Sequence, residues 1–203
     1  MLADLIDHEV TTLGALKILL VMVISFTGAQ STGKSTLLEM LKTDKRFRKF
    51  DFVPEITRRL TKQYNLNINE DGDEFTQLAI LNSHLHNYLV YRNKNVILDR
   101  CILDGFMYTT YQYYTGKVPE AITLHASYLF EKLIKKYDII FYTEPDIPLV
   151  DDGQRSANVE FRNKMIDLFE EAIQHYKINV VRLKGSVEER LETIYNTFDN
   201  YGK

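Results

Sequence analysis

The sequence predicts an α/β fold, with five short parallel strands in one sheet and helices on both faces. Two observations carry this. Five apolar, β-branched runs recur along the 203 residues, each as short as a buried strand. Between them, apolar residues repeat at spacings of three and four, as on one face of a helix. Strands alternating with helices imply right-handed crossovers and a parallel sheet. In such sheets ligands gather at the carboxyl ends of the strands, so functional residues are expected just after each run.

The runs are "VISFT" (Val23–Thr27), "FDFV" (Phe50–Val53), "NVILD" (Asn95–Asp99), "DIIFY" (Asp138–Tyr142) and "NVVRL" (Asn179–Leu183). Helical spacing links Phe75, Leu78, Leu81, Leu85 and Leu89, and again Phe161, Met165, Leu168, Ala172 and Tyr176. Gly116 suits a helix end, Pro119 a first helical position, and Ser186 with Glu189 a capping box. With 45% hydrophobic residues, residues 22–203 suffice for one domain with a single sizeable core.

Residues 1–21 precede this alternation and read as an appendage, with Met22 as a candidate start, or as a short helix packed beside the first strand. The stretch "ILLVMVISF" (Ile18–Phe26) is apolar but far shorter than the roughly 20 residues that span a bilayer. Asp4, Asp7 and Glu9 replace the basic start of a secretory signal, so no membrane association is expected. One cysteine, Cys101, excludes an intramolecular disulfide and fits a reducing compartment, the cytoplasm. The five histidines show no zinc-ligand spacing. A net charge of −3 and a pI near 6.0 lack the basic signature of a nucleic-acid binder. Only Lys45–Lys62 is locally basic, which keeps a polynucleotide acceptor as an alternative to a solvated basic face.

After the first run comes "GAQSTGKST" (Gly28–Thr36), which fits G-x-x-x-x-G-K-[ST]. Gly28 and Gly33 let backbone N–H groups turn inward on phosphates. Lys34 is a compact cation for the β- and γ-phosphates, and the Ser35 hydroxyl is a Mg²⁺ ligand. The following helix points its positive end at the anion. Ala29, Gln30, Ser31, Thr32 and Thr36 complete the cradle. The expected ligand is Mg·ATP in a P-loop NTPase fold.

After the second run, "FVPEITRRL" places Glu55 at a strand end, with Arg58 and Arg59 one turn on. A carboxylate there can accept a proton from a substrate hydroxyl, and the arginines can fork a substrate phosphate. The plainer reading is a surface helix with a weak Glu–Arg pair. The third run ends in "DRCILD". Asp99 suits Mg²⁺ or the role of catalytic base, or simply a helix N-cap. Arg100 suits an acceptor grip, and Asp104 is a weaker candidate. Whether Glu55 or Asp99 is the base stays open. Tyr108, Tyr111, Tyr113 and Tyr114 are expected mostly in the core, while Gln77 is a base-reading amide or merely solvated.

The fourth run leads into "EPDIPLVDDGQRS" (Glu144–Ser156), with Arg162 in the next helix. Phosphoryl transfer needs positive charge over the transferring group and exclusion of water. A mobile segment carrying Arg155 and Arg162 supplies both, so residues 146–165 read as a lid. An acidic turn before a helix capped by Ser156 or Asn158 is the plainer alternative.

Taken with their order, "FTGAQSTGKSTLLEML", "VPEITRR", "ILDR" and "PDIPLVDDGQR" resemble the nicotinamide riboside kinase domain of the NadR-type P-loop kinases, a group of small kinases also described as AAA domains. The resemblance covers about residues 22–198. It implies transfer of an ATP phosphate to a nucleoside 5′-hydroxyl, with Gly28–Thr36 on ATP, Glu55 and Arg58 or Arg59 facing the substrate, and Arg155 and Arg162 in the lid. It also implies a kinase of a small nucleoside in NAD biosynthesis, and with no adenylyltransferase or DNA-binding domain beside the motifs a stand-alone kinase is expected. The Asp99–Arg100–Cys101 run departs from that pattern. It looks more like the acid–arginine pair of deoxynucleoside and nucleoside monophosphate kinases, which are the alternative. A polynucleotide 5′-kinase and a slow ATP-hydrolysing switch are the further readings.

Overall fold

A computed structural model describes residues 21–147 and 158–201. The expected appendage, apart from Val21, and the middle of the expected lid, including Arg155, lie outside the described residues. One five-stranded sheet runs through the molecule in the order β2-β3-β1-β4-β5, and all neighbouring pairs are parallel. The strands are β1 (Val23–Thr27), β2 (Asp51–Val53), β3 (Val96–Asp99), β4 (Ile139–Thr143) and β5 (Val181–Leu183). Each expected run therefore forms a strand. Trimming affects only the ends, where Phe50, Asn95, Asp138, Asn179 and Val180 fall outside the ladder.

The helices are α1 (Lys34–Thr43), α2 (Ile56–Tyr64), α3 (Glu74–Tyr91), α4 (Ile102–Tyr114), α5 (Glu120–Leu133), α6 (Val159–His175) and α7 (Val187–Asn200). Strand side chains alternate between faces, and here both faces are covered. Ile24, Phe26, Ile139 and Phe141 meet Leu37 and Leu41 of α1 and Leu191 and Ile194 of α7. Ile140 and Tyr142 point the other way, into a larger core with Leu81 of α3, Ile102 and Met107 of α4, Phe130 of α5 and Phe169 of α6. Continuous burial along β1 and β4 explains why those runs read as unbroken apolar stretches rather than alternating ones.

Caps follow the sequence signals closely. Ser186 Oγ accepts from Glu189 N at 3.2 Å while Glu189 Oε2 accepts from Ser186 N at 2.7 Å. Asn158 Oδ1 caps α6 through Phe161 N. Gly116 sits just past α4 at φ 75°. Pro119 is the N-cap of α5 rather than its first residue. Asp99 caps no helix: α4 is capped at Cys101, with the Asp104 carboxylate accepting from Cys101 N.

One helical stripe differs from expectation. Phe75 and Leu89 of α3 are 67% and 52% exposed. The buried face of this helix instead carries Thr76, Gln77, Ile80, Leu81, His84 and Asn87. Periodicity of apolar residues misplaces the face because the helix walls a polar cavity, not only the core.

Candidate active site

The loop between β1 and α1 is held by close backbone approach. Gly28 adopts φ 124° and Gly33 φ 86°, a region that favours glycine. A Cβ on Gly28 would lie 2.9 Å from both the carbonyl and the hydroxyl oxygen of Thr143, at the end of β4. Thr32 Oγ1 and Thr143 Oγ1 share a hydrogen bond of 2.6 Å, and Thr143 Oγ1 also donates to Thr27 O at 3.1 Å. Lys34 lies against the loop, donating to Gly28 O at 2.7 Å, Ala29 O at 2.6 Å and Thr32 Oγ1 at 3.1 Å. Burial first, then repulsion from Arg100, pushes its amine down to about 7 from the ordinary 10.5.

Sequence reasoning missed Arg190. Its side chain, 1% exposed, donates to Thr32 O at 2.7 Å, Gly185 O at 3.0 Å and Glu144 O at 3.2 Å, and pairs with Asp146. This one guanidinium ties the phosphate loop to the segments after β4 and β5. A lone arginine in a terminal helix carries no local signal, since these partners include one 158 residues away.

Across from the loop, the ends of β2 and β3 bring Glu55 and Arg100 together. Arg100 Nε donates to Glu55 Oε1 at 2.5 Å and Arg100 Nη1 to Asp104 Oδ1 at 2.9 Å. Arg58 Nε donates to Glu55 Oε2 at 3.1 Å. Burial opposes the Glu55 charge, but Arg100 outweighs it, and the carboxyl falls to about 2 from 4.5. Burial likewise opposes the Arg100 charge, and Glu55, Tyr108, Asp104 and Asp99 more than reverse it. Arg100 sits at φ 79°, a strained conformation for a non-glycine residue that clusters at functional sites. Its guanidinium also lies over the Tyr108 ring, 5.4 Å from the centroid.

Asp104 is the hidden centre of this network. It is 2% exposed and accepts from Thr27 Oγ1 at 2.7 Å, from Cys101 N at 3.0 Å and from Arg100. The Cys101 thiol is pushed up to about 12 by burial, which leaves it protonated and inert.

Glu55 and Arg58 line a groove with Ser35 and Asp99, and two further cavities meet at this network. A small one is lined by Ser31, Thr32, Lys34, Ser35, Glu55, Asp99 and Arg100. A larger one adjoins Glu55 and Arg100 and extends to Gln77, Ile80 and His84 of α3, with Gln30 and Tyr108 among its walls. Glu55 and Arg100 line both. Asp99 lines the small cavity but not the large one, and burial, then Glu55, raise its carboxyl. His84 is held down to about 4 by burial, with Arg100 adding and Asp104 opposing, so its imidazole is neutral near pH 7. Gln77, 2% exposed, accepts from Thr109 Oγ1 at 3.2 Å.

Other expected residues lie further out. Arg59 is exposed on α2 and outside both cavities. Arg162 is buried in α6, where it donates to Ile147 O at 2.7 Å and Pro145 O at 3.5 Å. Burial lowers its pKa. Tyr111 packs on Phe161, whereas Tyr113 and Tyr114 are exposed. In the basic stretch, Arg46 pairs with Asp44 at 2.9 Å and lies 4.1 Å from the Tyr195 ring centroid. Among the described residues no group of three or more metal-ligating His, Cys, Asp or Glu side chains occurs, and no helix is long and apolar enough to cross a membrane.

Two NadR structures and a deoxyadenosine kinase share this architecture. A crystal structure of NadR protein in complex with NR superposes with a TM-score of 0.69 at 20% identity, covering 90% of this chain and 52% of that one. NadR in complex with NAD and AMP-PNP gives 0.66 at 18%, covering 88% and 50%. Deoxyadenosine kinase from M. mycoides with bound dATP gives 0.64 at 15%, covering 88% of this chain and 100% of that one. The chain thus spans about half the length of the NadR structures it matches. No curated protein matches it in sequence. The family model described as AAA domain matches residues 23–190, and with the phosphate loop and the five-stranded parallel sheet it places this chain in the AAA domain family, with a P-loop NTPase fold.

Proposed function

We propose that the chain is a nucleoside kinase, transferring the γ-phosphoryl group of Mg·ATP to the 5′-hydroxyl of a small nucleoside. The observation that carries this is the position of Glu55. It lines both the cavity under the phosphate loop and the larger cavity beside it. A hydroxyl in the larger cavity would therefore meet a carboxylate at the border with the phosphates. An ATP-hydrolysing switch would use such a carboxylate on water and would need no acceptor cavity beside it.

The roles divide by cavity. Glu55 is the residue that orients the attacking hydroxyl and takes its proton. A carboxyl at about 2 is a weak base, but phosphoryl transfer passes through a loose transition state that asks more for positioning than for basicity. Arg100 and Arg58 hold Glu55, and Gly28 to Thr36 hold the triphosphate, with Lys34 against its outer phosphates. The Ser35 hydroxyl and the Asp99 carboxylate, which both line the small cavity, are the hard-oxygen donors that would hold Mg²⁺. When bound there, the ion neutralises developing charge on the phosphates. Arg162 holds the backbone carbonyls of Pro145 and Ile147 just after β4, where the proposed lid begins.

Nicotinamide riboside is the leading acceptor, supported by the likeness to NadR and by the order of motifs. The second reading is a deoxynucleoside. It is favoured by the Glu55–Arg100 pair and by the neutral hydrogen-bonding groups of Gln77 and His84, which suit an uncharged base.

The test is acceptor-dependent ADP release with nicotinamide riboside, deoxynucleosides, their monophosphates, a 5′-hydroxyl oligonucleotide and no acceptor. A nucleoside should stimulate release most, and Lys34→Ala should remove nearly all of it. Equal release with and without every acceptor would overturn the kinase assignment.

A further inference from the structure

We infer that Gln30, although it belongs to the phosphate loop, reads the acceptor rather than ATP, through a hydrogen bond from its side-chain amide to a sugar oxygen. This rests on the nucleoside-kinase reading above.

Three observations carry it. Gln30 is 3% exposed, and its amide Nε2 has no hydrogen-bond partner. A buried donor without a partner is costly to a fold and is rarely kept without a use. Its other end is fixed, because Gln30 Oε1 accepts from the Tyr108 hydroxyl of α4 at 3.3 Å. That anchor turns the side chain away from the phosphates, which the loop meets through backbone N–H groups, and toward the larger cavity, where both residues are wall.

The place in the cavity selects the sugar. Glu55 and Arg100 mark the end shared with the phosphate-loop cavity. Gln30 precedes Ser31, which lines that smaller cavity, so it stands at the same end. Gln77, Ile80 and His84 line the wall contributed by α3. An N–H at the phosphate end meets the ribose, whose oxygens are acceptors. The residue types at this loop position are free in the phosphate-binding motif, so a glutamine here can serve specificity at no cost to the cradle.

The experiment measures nucleoside binding calorimetrically in the presence of a non-hydrolysable ATP analogue. The probes are nicotinamide riboside and adenosine, each with its 2′-deoxy, 3′-deoxy and carbocyclic forms. Gln30→Glu keeps the oxygen for Tyr108 and removes the donor. It should weaken acceptor binding about tenfold and weaken the ATP analogue by less than that. One of the three oxygen deletions should cost the wild-type protein about tenfold and cost Gln30→Glu almost nothing. If each deletion costs both proteins equally, or if Gln30→Glu loses ATP affinity instead, the inference is overturned while the kinase reading stands. If the wild-type protein binds neither nucleoside family, both fall. Gln30→Asn, which retracts the amide by one methylene, gives the same comparison should Gln30→Glu fail to fold.

Discussion

Replacing Arg100 by methionine tests the electrostatic argument at its centre. Burial alone would raise the Glu55 carboxyl, and Arg100 is the main counterweight that brings it from 4.5 to about 2. That difference corresponds to about 3 kcal/mol in favour of the ionised form. Since the folded value is the lower one, this stabilisation is complete above 4.5 and is lost as pH falls from there toward 2. Methionine keeps length and the backbone strain at φ 79° but removes the charge. Glu55 then faces burial with only Lys34 and Arg58 as opposing charges, and Asp104 keeps only Thr27 Oγ1 and the Cys101 N–H. Removing one partner of a buried pair costs about 3–5 kcal/mol. Because Glu55 can escape by protonating, the lower figure is expected, and the melting temperature at pH 7 should fall by about 6–12 °C. In a pH series, the wild-type rate should show no acid limb from Glu55 above pH 4, while the variant should gain one above pH 4.5. Calorimetry and acceptor-dependent ADP release over pH 4–8 supply both readouts. An unchanged melting temperature with a wild-type pH profile would refute the coupling of Arg100 to Glu55.

Four further outcomes follow from the geometry. Gly28→Ala would place a methyl group 2.9 Å from the Thr143 carbonyl and hydroxyl oxygens at a left-handed φ, so a loss of about 2 kcal/mol or more and a sharp rise in the ATP KM are expected; unaltered ATP binding would show that the loop and β4 are not in close register. Arg190→Met should cost about 3 kcal/mol by denaturant titration, because it leaves Asp146 and three carbonyls without their shared donor, and it should weaken ATP more than the acceptor. Glu55→Gln should lower kcat by about 100-fold or more at an unchanged ATP KM, whereas Asp99→Asn should raise the Mg²⁺ concentration needed for half-maximal rate; the reverse pattern would exchange their roles. Lys34→Met removes a buried amine whose folded value, about 7, lies below its ordinary 10.5, and thereby removes a stability term that rises with pH across that window; the variant should melt above wild type at pH 7, by on the order of a few kcal/mol, and the gap should close toward pH 10.

The fold was legible because the signals that specify it are local. Apolar runs such as Val23–Thr27, a glycine-rich loop, and caps such as Ser186 with Glu189 each lie within a few consecutive residues. Glu55 and Arg100 could be placed by a topological rule, as residues just past parallel strands. The network around them could not be read. Thr27 and Asp104 are 77 residues apart, and Arg190 and Thr32 are 158 apart, distances at which spacing carries no information. The α3 face was misjudged for a related reason: Gln77 and His84 are buried for a cavity, so polarity ceased to mark the solvent side. Arg58 and Arg59 look equivalent in sequence, but adjacent positions on a helix point about 100° apart, and Arg58 alone reaches Glu55.

Asp104 lines the larger cavity, and it binds the last hydroxyl of β1 on one side and the arginine beside the acceptor carboxylate on the other. The phosphate loop springs from that same strand. The donor and acceptor halves of the site are therefore not independent modules that selection can adjust one at a time. A drift in the strand beneath the ATP loop, even one as small as Thr27→Val, will be felt in the handling of the nucleoside. Change of base preference falls by the same logic to the α3 wall, where Gln77, Ile80 and His84 supply none of the hydrogen bonds that hold the shared carboxylate.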